Sequence, residues 1–325
     1  MEHQKELDKI IQTVQERDIE NIYLVACGGS MAALAPMEYY FDRELAIPCK
    51  VYTSNEFNYR SPLALGQKSL VITRSHSGTT PETVRACEKA REAGALTIAM
   101  SMLGDSPLAE AGELCLTYDY SKTEKVDLYE GDSALAYRLL LSLLRCLKPE
   151  SEKFTRALEQ LKGIESIIEK NREKFRDEAD SFGKALKRES IIYTMSSGPF
   201  YPEMYAWTSC LMMEMQWVHS NAIHSGEYFH GPFEITDYDV PFLLVRGNAA
   251  TRFLDDRAIR FAQKYSEKLY VIDADNFIYE DIDEDLKEIF ALIICGKILR
   301  DYAEALADHR GHPTSVRRYM WRMEY

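Results

Sequence analysis

The chain has 325 residues and a formal net charge of −13. This length is enough for a sizeable core and usually for two domains. The acidic balance argues against a nucleic-acid partner, because a phosphate backbone is bound by clustered Lys and Arg. An anionic small molecule would need a local pocket of cations or N–H groups within an acidic surface.

Cysteine usage and the N-terminus indicate a reducing compartment. The seven cysteines are odd in number and form no C-x-x-C motif, which favours free thiols over a disulfide framework or a zinc site. The polar N-terminus opens an amphipathic helix and shows no targeting segment. The apolar run 134–147 contains Arg138, Ser142 and Arg145 and is too short to span a bilayer, so it is predicted as a buried helix. We therefore expect a cytoplasmic protein without a membrane partner.

The first predicted strand, 21–27, ends in Gly28-Gly29-Ser30 and is followed by a predicted helix from Met31 to Glu44. This segment lacks G-x-G-x-x-G, and the chain has no Gly-Lys-Ser/Thr, so the signatures of a dinucleotide site and a P-loop are missing. A phosphorylated small molecule is therefore a better candidate ligand than a nucleotide.

A second ligand signal follows the predicted strand 69–75. Hydroxyl-bearing residues and a glycine lead into Thr80, a typical N-cap, and Pro81, a typical first helical residue. The N-terminus of such a helix offers unpaired N–H groups and a partial positive charge to an anion. The sequence thus predicts a phosphate cradle, in which His76 contributes its backbone amide and keeps its ring in solvent; an ordinary capped turn is the alternative. The predicted cradle comprises Gly29, Ser30, Ser75, His76, Ser77 and Thr80.

Strands and helices alternate along the chain, the rhythm of a doubly wound parallel sheet. A charged helical stretch from 150 to 187 leads into the second half, so we expect one domain over 1–150 and another over 151–325. The predicted strands are 21–27, 48–53, 69–75, 96–101 and 114–118 in the first half and 190–194, 240–245 and 268–273 in the second, where helices are predicted at 200–216, 250–264 and 284–307.

A third Ser-rich strand exit contains Ser196 and Ser197, followed by a Gly198-Pro199 break. A structural turn is the favoured interpretation, because the first half already supplies a phosphate cradle. Ser196 and Ser197 remain candidates to line a substrate pocket.

Candidate acid–base residues lie between 214 and 230. Glu214 falls in a strongly apolar predicted helix, where burial among Met213, Met215 and Trp217 would favour a general base. Pairing with a nearby cation is the alternative. His230 sits on a Gly-flanked turn, which suits a reactive ring better than a core histidine.

Glu214 and His230 cannot meet on one helix. Sixteen residues of helix would separate them by about 24 Å and place them on nearly opposite faces. Either the chain turns sharply near Asn221 or the two groups come from different subunits. Glu227, in the same turn as His230, suits loop anchoring as well as substrate contact.

His219 and His224 have the spacing of a metal pair. No Asp or Cys accompanies them, so we expect no metal site.

Three segments resemble the sugar isomerase (SIS) domain. Ala26-Cys-Gly-Gly-Ser30 and Ser75-His-Ser-Gly-Thr-Thr80 look like its two sugar-phosphate elements, and Ser225-Gly-Glu-Tyr-Phe-His-Gly-Pro232 resembles its second-half signature. The likeness covers nearly the whole chain as two tandem SIS domains, without the glutaminase half of glucosamine-6-phosphate synthase. It implies two doubly wound, flavodoxin-like parallel sheets.

Segments 213–217, 224–236 and 317–321 are similar to fructosamine-6-phosphate deglycases, and most similar to those that act on 6-phosphofructose-aspartate. The resemblance implies a deglycase that uses no cofactor and releases glucose 6-phosphate and an amino acid. It implies that Glu214 moves carbon-bound protons and His230 opens the ring and moves oxygen protons, although the sequence is also compatible with the reverse. It also implies a homodimer in which the histidine crosses the interface.

Departures from the isomerising synthases are informative. Leu211 and Met213 stand where those enzymes carry lysines, and Arg317 or Arg318 stands where their tail presents a lysine. Arginine forms no Schiff base, but its planar fork suits a carboxylate or phosphate. These differences argue against an isomerase or deaminase of the glucosamine-6-phosphate type. A non-catalytic sugar-phosphate sensor is the other alternative, but no DNA-binding region precedes residue 20.

Overall fold

In the computed structural model of this protein, residues 2–121 and 126–324 are described. They form two compact units, Met1–Glu165 and Ser166–Tyr325. Each unit is built on its own parallel sheet.

The sheet of the first unit has five strands. They are β1 (Asn21–Ala26), β2 (Cys49–Thr53), β3 (Ser69–Arg74), β4 (Leu96–Ser101) and β5 (Leu114–Thr117). All pair in parallel, in the order β2-β1-β3-β4-β5. Every residue of β3 and β4 is buried, as expected of parallel strands covered on both faces. The predicted doubly wound sheet is confirmed.

The helices of the first unit follow the strands in alternation. They are α1 (Glu2–Gln15), α2 (Gly28–Leu34), α3 (Pro36–Glu44), α4 (Ser54–Arg60), α5 (Pro81–Glu92), α6 (Pro107–Ala111), α7 (Asp132–Leu147) and α8 (Lys153–Gln160). The helix predicted over 31–44 begins earlier, at Gly28, and is divided at Ala35, because Pro36 has no N–H to continue the ladder. The apolar run 134–147 forms most of α7, whose residues 134–144 are buried.

The sheet of the second unit has four strands. They are β6 (Ile191–Ser196), β7 (His219–His224), β8 (Phe242–Arg246) and β9 (Leu269–Asp273), paired in parallel in the order β7-β6-β8-β9. The strand β7 is absent from the sequence-based prediction. Its polar sequence, with only Ile223 buried, is that of an edge strand rather than a central one.

The helical part of the second unit includes a π-helix. Its helices are α9 (Ile164–Leu186), α10 (Tyr201–Ala206), the π-helix (Trp207–Gln216), α11 (Arg252–Tyr265) and α12 (Lys287–Arg310). The single helix predicted over 200–216 is therefore divided into a 3₁₀ turn, α10 and the π-helix. Such segments are rare and often lie at functional sites.

The structure divides the chain after Glu165 rather than near residue 150, because α8 packs against α7 and so belongs to the first unit. Among the helices of the described residues, none is both long and apolar enough to cross a membrane.

Candidate active site

The first strand exit, where β1 leads into α2, leaves Gly29 and Ser30 accessible. The helix α2 starts at Gly28, whose φ of +53° lies in the left-handed region, and a Cβ there would meet no atom within 4 Å. The N-cap residue Cys27 makes no side-chain capping bond. Gly29 is exposed and Ser30 is partly buried. This end of β1 therefore has room for a ligand.

The second strand exit is a loop of paired hydroxyls. The Ser75 and Thr80 side-chain oxygens lie 2.8 Å apart, and those of Ser77 and Thr79 lie 2.7 Å apart. Thr80 is the N-cap of α5, as predicted, but its hydroxyl pairs with Ser75 and does not cap the helix. The hydroxyls and the first turn of α5 thus form a polar surface that an anion can use.

Gly78 sets the shape of this loop. Its φ is +70°, and a Cβ at this position would lie 2.1 Å from the Oγ of Ser106. The loop therefore packs directly on the N-cap of α6, and only glycine fits there.

The ring of His76 is not merely solvated, contrary to the sequence-based expectation. Its Nδ1 lies 3.2 Å from the hydroxyl of Tyr118, and the ring packs edge-on against Tyr120 at 4.4 Å between centroids. The orientation of the ring is therefore determined by two aromatic side chains from beyond β5.

Arg74 was missed by the sequence analysis because it lies within an apolar strand pattern. It is the last residue of β3, is only 4% exposed, and donates from Nη2 to Asp132 at 3.2 Å. Its guanidinium also lies over the ring of Tyr118. The Nε and Nη1 atoms are buried without a hydrogen-bond partner. Arg74 places a guanidinium group next to the cradle. Because the chain as a whole is acidic, an anionic ligand needs local cations of this kind.

The third Ser-rich exit is closed. Ser196 and Ser197 are fully buried and donate to the carbonyl oxygens of Val245 and Thr251. The carboxylate of Asp255, also fully buried, accepts hydrogen bonds from Ser225 at 2.7 Å and from the N–H of Gly247 at 3.2 Å. This exit is a structural element, as the sequence favoured, and Ser197 is not available for a substrate contact.

Burial raises the pKa of Asp255 to about 6, against the opposing effect of its hydrogen bonds. The ordinary value is 3.8, so between about pH 4 and 6 the folded chain binds a proton that the unfolded chain has released. The contribution of this group to the free energy of unfolding therefore falls as pH rises through this window.

Replacement of Asp255 by Asn should remove this pH dependence. Relative to the variant, the wild type should lose on the order of 2–3 kcal/mol of stability between pH 4 and 6. Denaturant unfolding of both proteins across this range measures the difference. Parallel stability curves would contradict the assignment.

Glu214 lies near the end of the π-helix and pairs with Arg317. The two side chains are 2.8 Å apart, with 23% of Glu214 and 10% of Arg317 exposed. Burial among apolar neighbours is only partial, because Met213 and Trp217 are themselves exposed. The cation-paired alternative is therefore the one that the structure shows.

The C-terminal segment is ordered on the π-helix by its arginines. Arg317 donates from Nη1 to the carbonyl oxygens of Thr314 and Val316, while its Nε is buried without a partner. Arg318 lies over the ring of Trp217 at 4.3 Å. Both arginines thus lie beside the segment that carries Glu214.

His230 lies at the opposite end of β7 from Glu214. The chain turns at Trp217, in a left-handed conformation, rather than near Asn221. The six-residue strand β7 then runs parallel to β6 before the turn that carries His230. A strand of this length spans about 20 Å. Within one chain, Glu214 therefore lies toward the amino end of β7 and His230 toward its carboxyl end.

His230 and Glu227 are exposed on this turn, and the His230 N–H donates to the Glu227 carbonyl at 2.9 Å. The ring of His224 is hydrogen-bonded within the same turn, because its Nδ1 accepts from the N–H of Gly226 at 3.1 Å. Burial lowers the pKa of this ring. Within residues 2–121 and 126–324, no group of three or more His, Cys, Asp or Glu side chains is arranged to hold a metal ion.

The two flavodoxin-like sheets and the hydroxyl-lined loop after β3 are the features of an SIS-domain protein. The SIS domain family matches residues 17–143, and the two sheets correspond to tandem SIS domains. A solved structure of a Bacillus subtilis protein assigned as a phosphosugar isomerase superposes with a TM-score of 0.95 at 43% identity, covering 99% of this chain and 97% of that one.

Sequence comparison with related enzymes indicates the family to which the chain belongs. The chain is 44% identical to the fructosamine deglycase FrlB of Bacillus subtilis, over 99% of this chain and 97% of that protein. It is 30% identical to the fructoselysine 6-phosphate deglycase of Escherichia coli K12, over 95% of this chain and 88% of that protein. The chain belongs to the fructosamine deglycase family of SIS-domain enzymes.

Proposed function

We propose that this enzyme uses water to cleave an N-(6-phosphofructosyl) amino acid to glucose 6-phosphate and the free amino acid. The observation that carries the proposal is the similarity to fructosamine deglycases over nearly the whole chain, and Glu214 offers a partly buried carboxylate for the reaction. A carboxylate can move the carbon-bound protons of an Amadori compound, and an arginine cannot form the Schiff base expected of a tail lysine. The deglycase names of two relatives support the same reaction.

The chemistry requires only acid–base steps. In the open-chain substrate, the C1 hydrogen lies next to the C2 carbonyl, so a base can remove it while an acid protonates the developing enolate oxygen. The resulting enaminol is reprotonated at C2 to give an aldimine. Water then hydrolyses the aldimine to the aldehyde of glucose 6-phosphate and the free amine.

Glu214 is the proposed base for the carbon-bound protons, and His230 the proposed group for ring opening and oxygen protons. Because the two lie at opposite ends of β7 in one chain, we place them in one site only as a pair from two subunits of a homodimer. The exposure of His230 on its turn supports this arrangement, since the ring is available to a partner.

The substrate phosphate is proposed to bind the first unit, on Ser30, Ser75, Ser77 and Thr80, with the backbone of Gly29 and His76. The exposed hydroxyls of Ser77 and Thr79 after β3, and the closed exit after β6, support the placement of the phosphate on the first unit. Arg74, the residue before Ser75, is paired with Asp132 and keeps two buried nitrogens, Nε and Nη1, without a hydrogen-bond partner.

Replacement of Ser77 or Thr80 by Ala should weaken binding of substrate and of glucose 6-phosphate together. Each change removes one hydroxyl, and hydrogen bonds to charged groups contribute about 1.5–3 kcal/mol, equivalent to about 10- to 100-fold in affinity. Calorimetric titration with glucose 6-phosphate measures the effect, with Ser220→Ala in the second unit as the control. Unchanged affinity in both variants would place the phosphate elsewhere.

Arg317 and Arg318 are the proposed partners of the amino-acid carboxylate, with Glu227 as a further substrate contact. Two arginines would suit the two carboxylates of an aspartate conjugate, so 6-phosphofructose-aspartate is the proposed substrate. The seven free thiols support a cytoplasmic location, where such a conjugate would be consumed.

Glucose 6-phosphate release from a panel of phosphofructosyl amino acids tests the proposal. The expected order is aspartate first, with lower kcat/KM for the lysine and glycine conjugates. Preference for lysine would retain the deglycase and overturn the aspartate assignment. Release from no conjugate, with turnover of glucosamine 6-phosphate instead, would favour the isomerase or deaminase alternative, and binding without turnover would favour a sensor.

A further inference from the structure

A buried carboxylate occupies the second unit at the place where the first unit has its open loop. β8 takes the same place in its sheet as β3 does in the first. Beyond β3, the hydroxyls of Ser77 and Thr79 pair at the surface, and that of buried Ser75 pairs with Thr80. Beyond β8, the N–H of Gly247 donates to Asp255, which is completely buried and also accepts from Ser225, the residue after β7. The second unit therefore carries its own anion at this exit.

The hydrogen bond from Ser225 links Asp255 to the turn that carries His230. Ser225 is the first residue after β7 and is itself only 2% exposed. From Ser225 the turn continues through a hydrogen bond from the Glu227 N–H to the His224 carbonyl at 2.8 Å, and His230 follows. The side chain of Ser225 thus adds a buried hydroxyl–carboxylate contact to the hydrogen bond from its own N–H to the Ser196 carbonyl at 2.8 Å, and together they hold the start of this turn.

The far side of the turn is anchored separately. Tyr228 is completely buried, and its hydroxyl contacts that of Thr236. His230 lies two residues beyond Tyr228 and is exposed, next to Gly231 with a φ of +132°. Both anchors precede His230 in the chain, so the direction in which its ring projects depends on how the segment from Ser225 to Tyr228 is held.

We propose that Asp255 is a positioning residue for His230: its carboxylate holds Ser225 and thereby sets the direction from which the His230 ring meets the substrate. The inference rests on the proposed function, in which His230 is an acid–base group. Displacement of such a group by about 1 Å can cost about 100-fold in rate. Asp255 does not touch the substrate, because it is inaccessible.

The test uses the full-length enzyme and three variants. Asp255→Asn keeps the shape of the side chain but places an amide N–H₂ against one of the donors that face the carboxylate, which are Ser225, Ser197 and the N–H of Gly247. Ser225→Ala removes the link and leaves the carboxylate in place. Asp256→Asn is the matched control, because this neighbouring carboxylate is partly exposed and pairs with Arg246 instead.

Asp255→Asn and Ser225→Ala should each lower kcat by about 10- to 100-fold with little change in KM, since the cradle of the first unit is untouched. The control should retain the wild-type kcat. In a His230→Ala background, neither Asp255→Asn nor Ser225→Ala should cause further loss, because the group that they position is gone. A purely structural role would instead lower the residual activity of His230→Ala by the same factor as in the wild type.

The outcomes separate the two proposals. Additive losses in the double variants, with His230→Ala itself strongly impaired, would overturn the positioning role and leave the proposed function intact. Full activity of His230→Ala would overturn the positioning role and the acid–base role of His230, and would leave the deglycation itself intact. If Asp255→Asn does not fold, Ser225→Ala decides the question, since a wild-type kcat in that variant contradicts the inference.

Discussion

Replacement of Glu214 by Gln is expected to reduce glucose 6-phosphate release by about 10²- to 10⁴-fold, the range for loss of a general acid–base group. The amide preserves volume and most hydrogen bonding, and it can still accept from Arg317, which lies 2.8 Å away. The change therefore removes the base with little disturbance of the C-terminal segment. Steady-state turnover and circular dichroism of the same preparation measure the loss and the fold.

Glu203→Gln is a suitable control, because it makes the same substitution on α10, one helical segment earlier, and should retain turnover. Deuterium at C1 of the substrate should slow the wild type if proton removal limits the rate. A folded Glu214→Gln enzyme with near wild-type turnover would contradict the mechanism, which has no other residue for that proton.

Mixing two inactive variants is expected to restore activity. In a dimer with shared sites, a heterodimer of Glu214→Gln and His230→Ala chains contains one site with both defects and one site with neither. Random exchange of equal amounts makes half the dimers heterodimers, so about one quarter of all sites should recover. Turnover before and after subunit exchange measures this recovery.

The control uses a chain that carries both substitutions, mixed with wild type. Each site of such a heterodimer lacks one group, so exchange should lower turnover to about half of that before exchange. A site shared between subunits therefore predicts a gain of turnover in the first mixture and a loss of turnover in the second. Absence of both effects, with exchange shown by mass-labelled chains, would place Glu214 and His230 in the same subunit.

Local patterns predicted much of the first unit. The apolar runs, the Gly28 exit, and the Thr80-Pro81 helix start depend on neighbouring residues, and each lies where expected. Thr80, the N-cap of α5, shows what local sequence cannot predict. The position of Thr80 follows from local sequence, whereas the pairing of its hydroxyl with Ser75 depends on how the loop folds back.

The second unit was predicted less completely, for a physical reason. β7 is a polar edge strand that is recognised mainly by its pairing with β6. That pairing cannot be predicted from the residues of β7 alone. The π-helix has the apolar composition of a buried α-helix, so composition alone does not distinguish the two, and in the structure it packs against α12.

The sequence by itself determined the class of fold, and it predicted the strand exits proposed for the phosphate and the candidate acid–base residues, because these depend on hydrophobic period, turn chemistry and residue type. Only the tertiary structure decided that Glu214 pairs with Arg317, that Asp255 fills the exit of the second unit, and that β7 separates Glu214 from His230. Each of these facts joins residues that are distant in the chain, and such contacts form only when the sheet brings their segments together.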